Sequence, residues 1–150
     1  RVTRALMNET STVPTKHKSR IVTLQVLYEV DEAQHDALEI LERRLHQDSL
    51  PTVVESFACW LIQGVLEHKA LIDRMISILA PAWPLNQMAV VDRNILRIAI
   101  FEIRLGGKTP SKVAINEAVE LAKVFGSDNS AKFVNGVLGS VIRTPLIQSK

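Results

Sequence analysis

The sequence predicts an all-helical fold, and three observations carry the prediction. Apolar residues recur at helical spacing along the body of the chain. Proline and glycine stand where those periodic runs stop, at Pro51, Pro81, Pro84, Gly106, Gly107 and Gly126. No segment shows the period-two alternation of a half-buried strand, and none repeats at a fixed period. A polar break at Glu67, His68 and Lys69 divides the pattern into an N-terminal and a C-terminal bundle.

Residues 1–17, RVTRALMNETSTVPTKH, mix Ser, Thr, Asn and Pro14 with few large apolar groups and are expected to form a mobile basic arm. A first helix is expected from near Ser19, carrying Ile21, Leu24, Val26, Leu27 and Tyr28 as far as Asp31 and Glu32. Asp36 is placed to cap a second helix with Leu38, Ile40, Leu41 and Leu45 inward and Glu39, Glu42, Arg43 and Arg44 outward. Pro51 suits the first turn of the next run. That run carries one stripe through Val54, Phe57, Ala58, Leu61, Ile62, Val65 and Leu66, then a second through Leu71, Ile72, Met75, Ile76 and Leu79. It reads as two helices or one kinked helix. Pro81 and Pro84 around Trp83 force a non-helical joint.

Met88 to Leu105 is apolar on nearly every side from Ile95 to Ile103, interrupted only by Arg97 and Glu102, and is the expected centre of the second bundle. Ser111 can cap the following helix, whose stripe is Val113, Ala114, Ala118, Leu121, Ala122 and Phe125, and Gly126 can end it from the position after the cap. After Ser127, Asp128 and Asn129, a last helix runs through Phe133, Val134, Val137, Leu138 and Val141. Gly136 and Gly139 are expected to let another helix backbone approach. A hairpin turn at Asn135-Gly136 is the competing reading, disfavoured by its non-alternating flanks.

With 150 residues, 47% of them hydrophobic, the chain can bury a core without metal or disulfide. Its one cysteine, Cys59, lies in an apolar run and reads as a buried small hydrophobe in a reducing compartment. No apolar stretch approaches the roughly 18 residues of a membrane span, and the expectation is a soluble cytoplasmic protein. Net charge is +2, but unevenly spread. Arg1, Arg4, Lys16, Lys18 and Arg20 against Glu9 leave +4 in the first twenty residues, while 13 basic and 15 acidic residues leave the remainder at −2. A basic arm on a nearly neutral body is a foothold for phosphates, and equally the pattern of a solvated tail. The expected organisation is the arm, one helical domain over 18–145 and a short tail over 146–150.

The stretch KVAINEAVELAKVFGSDNSAKFVNGVL from Lys112, with VVDRNILRIAIFEI from Val90 and LQVLYEVD from Leu24, resembles the NusB family of bacterial transcription antitermination factors. The resemblance covers most of Lys16 to Arg143. It implies an all-α, NusB-like fold of about seven helices in two small bundles. It also implies binding of a boxA-type element in nascent, mainly ribosomal, RNA. The implied protein partners are NusE, a small-subunit ribosomal protein, and the RNA polymerase antitermination complex. Neither a cofactor nor a membrane is implied, and a monomer and a homodimer both remain open.

RNA recognition needs cations for phosphates and flat or hydrogen-bonding groups for unstacked bases. Lys16, His17, Lys18 and Arg20, followed by Gln25 and Tyr28, offer both. They match the family's arginine-rich run and QALY-like sequence, although lysine and histidine replace planar guanidinium groups here. Base contact and core packing compete for Tyr28. Arg97 needs a partner, expected in Glu117 or Glu120 on the next helix, and Asn116 and Asn135 read as interior hydrogen-bonding groups. The resemblance places the protein partner at Asp92, Asp128, Asn129 and Phe133, an acidic rim around an aromatic suited to a basic protein. Helix capping competes for Asp128 and Asn129, and core packing for Phe133.

Catalytic signatures are missing. His17, His35, His46 and His68 have no paired-ligand spacing, and there is no phosphate-binding glycine loop or nucleophile elbow. The expected protein is therefore not an enzyme. Two other readings stay open: a protein-binding helical scaffold without RNA function, and a NusB-like domain of an RNA-modifying enzyme.

Overall fold

Helix α1 (Thr15–Ala33) opens the described part of the chain, which the computed structural model covers over residues 15–144. The expectations for residues 1–14 and for the tail lie outside it. Thr15, Lys16 and His17 belong to α1, so the helix starts ahead of Ser19. The buried Ser19 hydroxyl shares its one proton between Thr15 O at 3.0 Å and Val54 O at 2.8 Å, tying α1 to its neighbour.

α2 (Ala37–Asp48) follows, and the Asp36 carboxylate accepts from the Glu39 amide at 3.2 Å as the cap rule requires. Next come α3 (Thr52–Glu67) and α4 (Lys69–Leu79), two separate helices that meet at His68. The proline joint ends in a 3-10 turn over Leu85–Gln87. α5 (Val90–Ile100) then passes directly into a π-helical segment, Phe101–Gly106. α6 (Ser111–Phe125) and α7 (Ser130–Arg143) complete seven helices, with no strand among the described residues.

Two apolar clusters hold these elements. The smaller joins Val22 and Val26 of α1, Ala37, Ile40 and Leu41 of α2, and Ala58 and Ile62 of α3. The larger takes Leu24 and Leu27 from α1 and Leu61 and Val65 from α3, and adds the inner faces of α4 to α7. Helices α1 and α3 thus belong to both bundles, because their apolar residues extend around more than one face. The larger cluster includes Ile95, Leu96, Ile98 and Ile100, so α5 is the central helix that its composition predicts.

Several local expectations are overturned. Leu38 is 55% exposed, so the inner face of α2 is Ile40 and Leu41 with Leu45 half-buried. Pro110, not Ser111, occupies the cap position of α6. Gly126 is extended (φ −95°, ψ −169°), and glycine is needed because a Cβ would stand 2.5 Å from the Ser130 side chain. A Cβ on Gly136 would meet nothing within 4 Å, and one on Gly139 would meet only the Arg143 side chain, so neither admits a neighbouring helix. Asn116 and Asn135 are exposed; the interior asparagine is Asn94.

The close approach that does need glycine is at Gly64 of α3, where a Cβ would stand 2.1 Å from Phe101 Cζ. The prediction is a contrast. Gly64→Ala should destabilise by about 1–3 kcal/mol through overpacking. Gly136→Ala, in open space on α7, should stabilise by roughly 0.5–1 kcal/mol through helix propensity. Urea unfolding of both variants checks it; equal effects would contradict the packing at Phe101.

Candidate nucleic-acid interface

The first turns of α1 carry the predicted cations, and the structure separates them. Lys16 is exposed and Lys18 half-exposed. His17 bonds through Nδ1 to Glu117 Oε1 at 2.7 Å. Arg20 is turned inward, 3% exposed, with Nε and Nη2 each donating to the Glu102 carboxylate at 2.8 Å. Its Nη1 lies 3.6 Å from Glu117 Oε1. Thr109 Oγ1 donates to Glu102 Oε1 at 2.6 Å and completes the shell. Arg20, predicted as an RNA contact, thus spends its guanidinium inside the protein.

Burial alone would draw the Arg20 guanidinium down, but the hydrogen-bonded Glu102 carboxylate and the charge of Glu117 outweigh it and hold its pKa above the usual range. A planar fork on a carboxylate is the geometry in which a buried charge is tolerated. Gln25 accepts a hydrogen bond from Arg44 Nη2. Tyr28 is 42% exposed, so core packing does not account for it. The predicted set therefore comprises exposed groups (Lys16, Tyr28), the half-exposed Lys18, and groups bonded to other elements (His17, Arg20, Gln25).

Beside Lys16 stand groups that the sequence reading missed. Lys16 Nζ lies 5.2 Å from the Phe57 ring centroid, and Lys108 Nζ lies 4.4 Å from that of Trp60. Their contribution was hidden because Phe57 fits the apolar stripe of α3, Trp60 lies in the same apolar run and Lys108 sits in a loop.

At the other end of α1, Asp31 Oδ2 receives Arg93 Nε at 2.9 Å, Asn94 Nδ2 at 3.0 Å and Arg97 Nη1 at 3.1 Å. Arg97 also grips Asp73 with Nε and Nη2, at 2.8 and 3.1 Å. Its partners are therefore Asp31 and Asp73, not Glu117 or Glu120. Glu117 is taken by His17 and Arg20, and Glu120 lies 3.5 Å from Lys123. Burial pulls the Asp31 carboxyl up, but the Arg93 and Asn94 hydrogen bonds and the charges of Arg97 and Arg93 prevail and hold its pKa below the ordinary value.

A second concave region lies where α5 begins and α6 turns into α7. Asp92, Asn129 and Phe133 line this cleft of about 540 Å³ with Trp83, Met88 and Lys132. Phe133 meets Trp83 edge-on at 6.0 Å. Asp92 is 8% exposed, and its Oδ1 has no hydrogen-bond partner among the described residues. Asn129 stands at the α7 cap position without a side-chain cap bond, so capping does not explain it. Asp128 is exposed and is not part of the cleft wall. Trp83, absent from the sequence-based set, supplies its largest ring.

Burial, aided by the charge of Glu55, pushes the Cys59 thiol pKa up, which disfavours the nucleophilic thiolate. Among the described residues no cluster of His, Cys, Asp or Glu could hold a metal ion, and no helix is long and apolar enough to cross a membrane.

A sequence model of the NusB family matches residues 17–143, a span that takes in α1 from His17 onward and the whole cleft. The chain belongs to the NusB family. It is 51% identical over 129 residues to the transcription antitermination protein NusB of Chloroflexus aggregans, covering 85% of this chain and 86% of that one. The corresponding protein of Roseiflexus castenholzii is 50% identical, covering 85% of this chain and 91% of that one. Among solved structures, T. maritima NusB superposes with a TM-score of 0.80 at 34% identity, covering 87% of this chain and 92% of that one. A structure of antitermination factors NusB and NusE in complex with dsRNA shares the fold, with a TM-score of 0.80 at 22% identity over 86% of this chain and 96% of that one.

The ion network at Asp31 makes a pH prediction for this NusB-family chain. A carboxyl with a depressed folded-state pKa stabilises fully above its unfolded value, about 3.9, and loses that contribution as pH falls through the folded pKa. Asp31→Asn should therefore be less stable than the native chain at about pH 7, with the gap closing below about pH 4. Urea unfolding across that range measures it, and a gap independent of pH would contradict the assignment.

Proposed function

We propose that this chain is a non-catalytic, cytoplasmic transcription antitermination factor that binds boxA-type RNA of nascent ribosomal transcripts together with NusE. The observation that carries the reading is the NusB-family match across residues 17–143, at about half identity to proteins named for transcription antitermination. The solved complex of NusB and NusE with dsRNA, on the same fold, supports both kinds of partner.

In this reading Lys16 and Lys18 meet phosphates and Tyr28 offers a flat face to an unstacked base. His17, Arg20 and Gln25 position that face through Glu117, Glu102 and Arg44. NusE occupies the cleft of Asp92, Asn129 and Phe133, with Asp128 on the surface beside it. The Asp92 carboxylate, 8% exposed at the cleft wall, draws a basic partner by its charge, and the Phe133–Trp83 pair supplies apolar area. RNA and protein then raise each other's affinity by linkage, and the assembly joins RNA polymerase without covalent chemistry.

The test is the salt dependence of binding to a labelled boxA-type RNA. Lys16→Ala with Lys18→Ala should weaken binding and flatten the slope of log K against log salt by about 1.4, two phosphate contacts at roughly 0.7 each on a single strand. An unchanged affinity and slope would remove these lysines from the interface.

A further inference from the structure

An aromatic ladder runs along the outer side of α3. Phe57 and Trp60 have ring centroids 5.3 Å apart, Trp60 meets Phe101 edge-on at 5.0 Å, and Phe101 stacks on His68 at 6.1 Å. Between Trp60 and His68 the ladder opens to solvent as a cleft of about 230 Å³, backed by Gly64 and Phe101, with Gln63 and Glu67 also in its lining. The cleft is smaller than the roughly 300–1,000 Å³ of ordinary ligand pockets, a size suited to one planar group. Glycine shapes the wall: a Cβ on Gly106 would stand 2.8 Å from Trp60 Cη2.

The ladder is rooted in the core through the buried Phe101, and its outer rings are not a bare apolar patch. Phe57 and Trp60 are only half-buried, and each carries an ammonium group over its ring, Lys16 at 5.2 Å and Lys108 at 4.4 Å. An exposed lysine on an indole is a weak contact that a better partner displaces. Lys108 follows Gly107, a left-handed residue (φ +72°) around which a Cβ would meet nothing, so the turn has room to let the ammonium swing away. Half-buried rings with cations over them suit the bases and phosphates of a single strand. The ladder also begins at Lys16, on the α1 turn already assigned to phosphate.

We propose that this ladder is a second single-stranded RNA subsite, in which Trp60 stacks an unpaired base and Lys108 leaves the ring for the adjoining phosphate. The proposal rests on the RNA-binding reading above and extends its path from α1 across α3. Gln63 and Glu67 face the edge of the base, where an amide and a carboxylate accept from its amino group. The Glu67 charge repels phosphate from the His68 end, which places the phosphate on the Lys108 side.

Trp60 reports on this directly. The chain has two tryptophans, so Trp83→Phe leaves Trp60 as the sole indole. That variant is titrated with boxA-type RNA extended by a few unpaired nucleotides, with RNA anisotropy read in the same samples. Trp60 emission should be quenched as the RNA saturates. In the otherwise native chain, Trp60→Leu should lower affinity for the extended RNA about tenfold with an unchanged salt slope. Lys108→Ala, a surface change that leaves the core intact, should flatten that slope by about 0.7. Bound RNA with unaltered Trp60 emission and a native slope in Lys108→Ala would overturn the subsite while leaving the α1 site standing. Failure of any RNA to bind would overturn the broader reading, and this one with it.

Discussion

The buried pair of Arg20 and Glu102 fixes the relation between the first helix and everything that follows. A guanidinium at 3% exposure and a carboxylate at 1% are costly to desolvate, and removal of either leaves the other charged and unpaired. The fork geometry, the Thr109 hydroxyl and the neighbouring Glu117 make the arrangement tolerable and leave it little freedom. The π-helical segment after α5 is where Phe101 and Glu102, adjacent in sequence, are both buried, one against Gly64 and the other on Arg20. A second network of Asp31, Asp73, Arg93 and Arg97 holds the far end of α1. Clamped at both ends, α1 presents Lys16 and Lys18 from a fixed helix, which lowers the ordering cost of binding.

This arrangement separates the tasks by position. Helices α1 and α3 share both apolar clusters and expose cations and rings on their outer side, whereas the cleft proposed for a protein partner lies at the start of α5 and the α6–α7 corner. The two regions have different chemistry: ammonium groups over aromatic rings in the first, a buried carboxylate oxygen beside two aromatic rings in the second. Ligands of opposite charge preference can therefore occupy the molecule together.

The periodicity of apolar residues made the helical runs and the central place of α5 legible, while at the polar break around His68 it left open two helices or one kinked helix, which the structure resolves as two. It could not identify tertiary partners. Glu117 and Asp73 are both carboxylates on neighbouring helices, and only the packing decides that Arg97 takes the second while Arg20 and His17 take the first. Arg20 closes a basic run in the sequence, and nothing local reveals that it points inward. Asn116 and Asn135 look interior beside apolar neighbours, yet they fall on the solvent side of α6 and α7. Glycine was the least legible: Gly64 matters through a ring from another helix, while Gly136 faces open space. Of the candidate site, the part best anticipated was the convergence of Asp92, Asn129 and Phe133 on one cleft. Trp83, Trp60 and Lys108 needed the fold to bring them there.

The central claim is that this chain joins a specific RNA to a ribosomal protein by linked binding. The most direct measurement is the affinity of a labelled boxA-type RNA, and of a scrambled control, with and without NusE from the same organism. The account predicts selective binding of the boxA-type RNA that NusE strengthens. Equal binding of both RNAs, or no binding of either with NusE present, would contradict it.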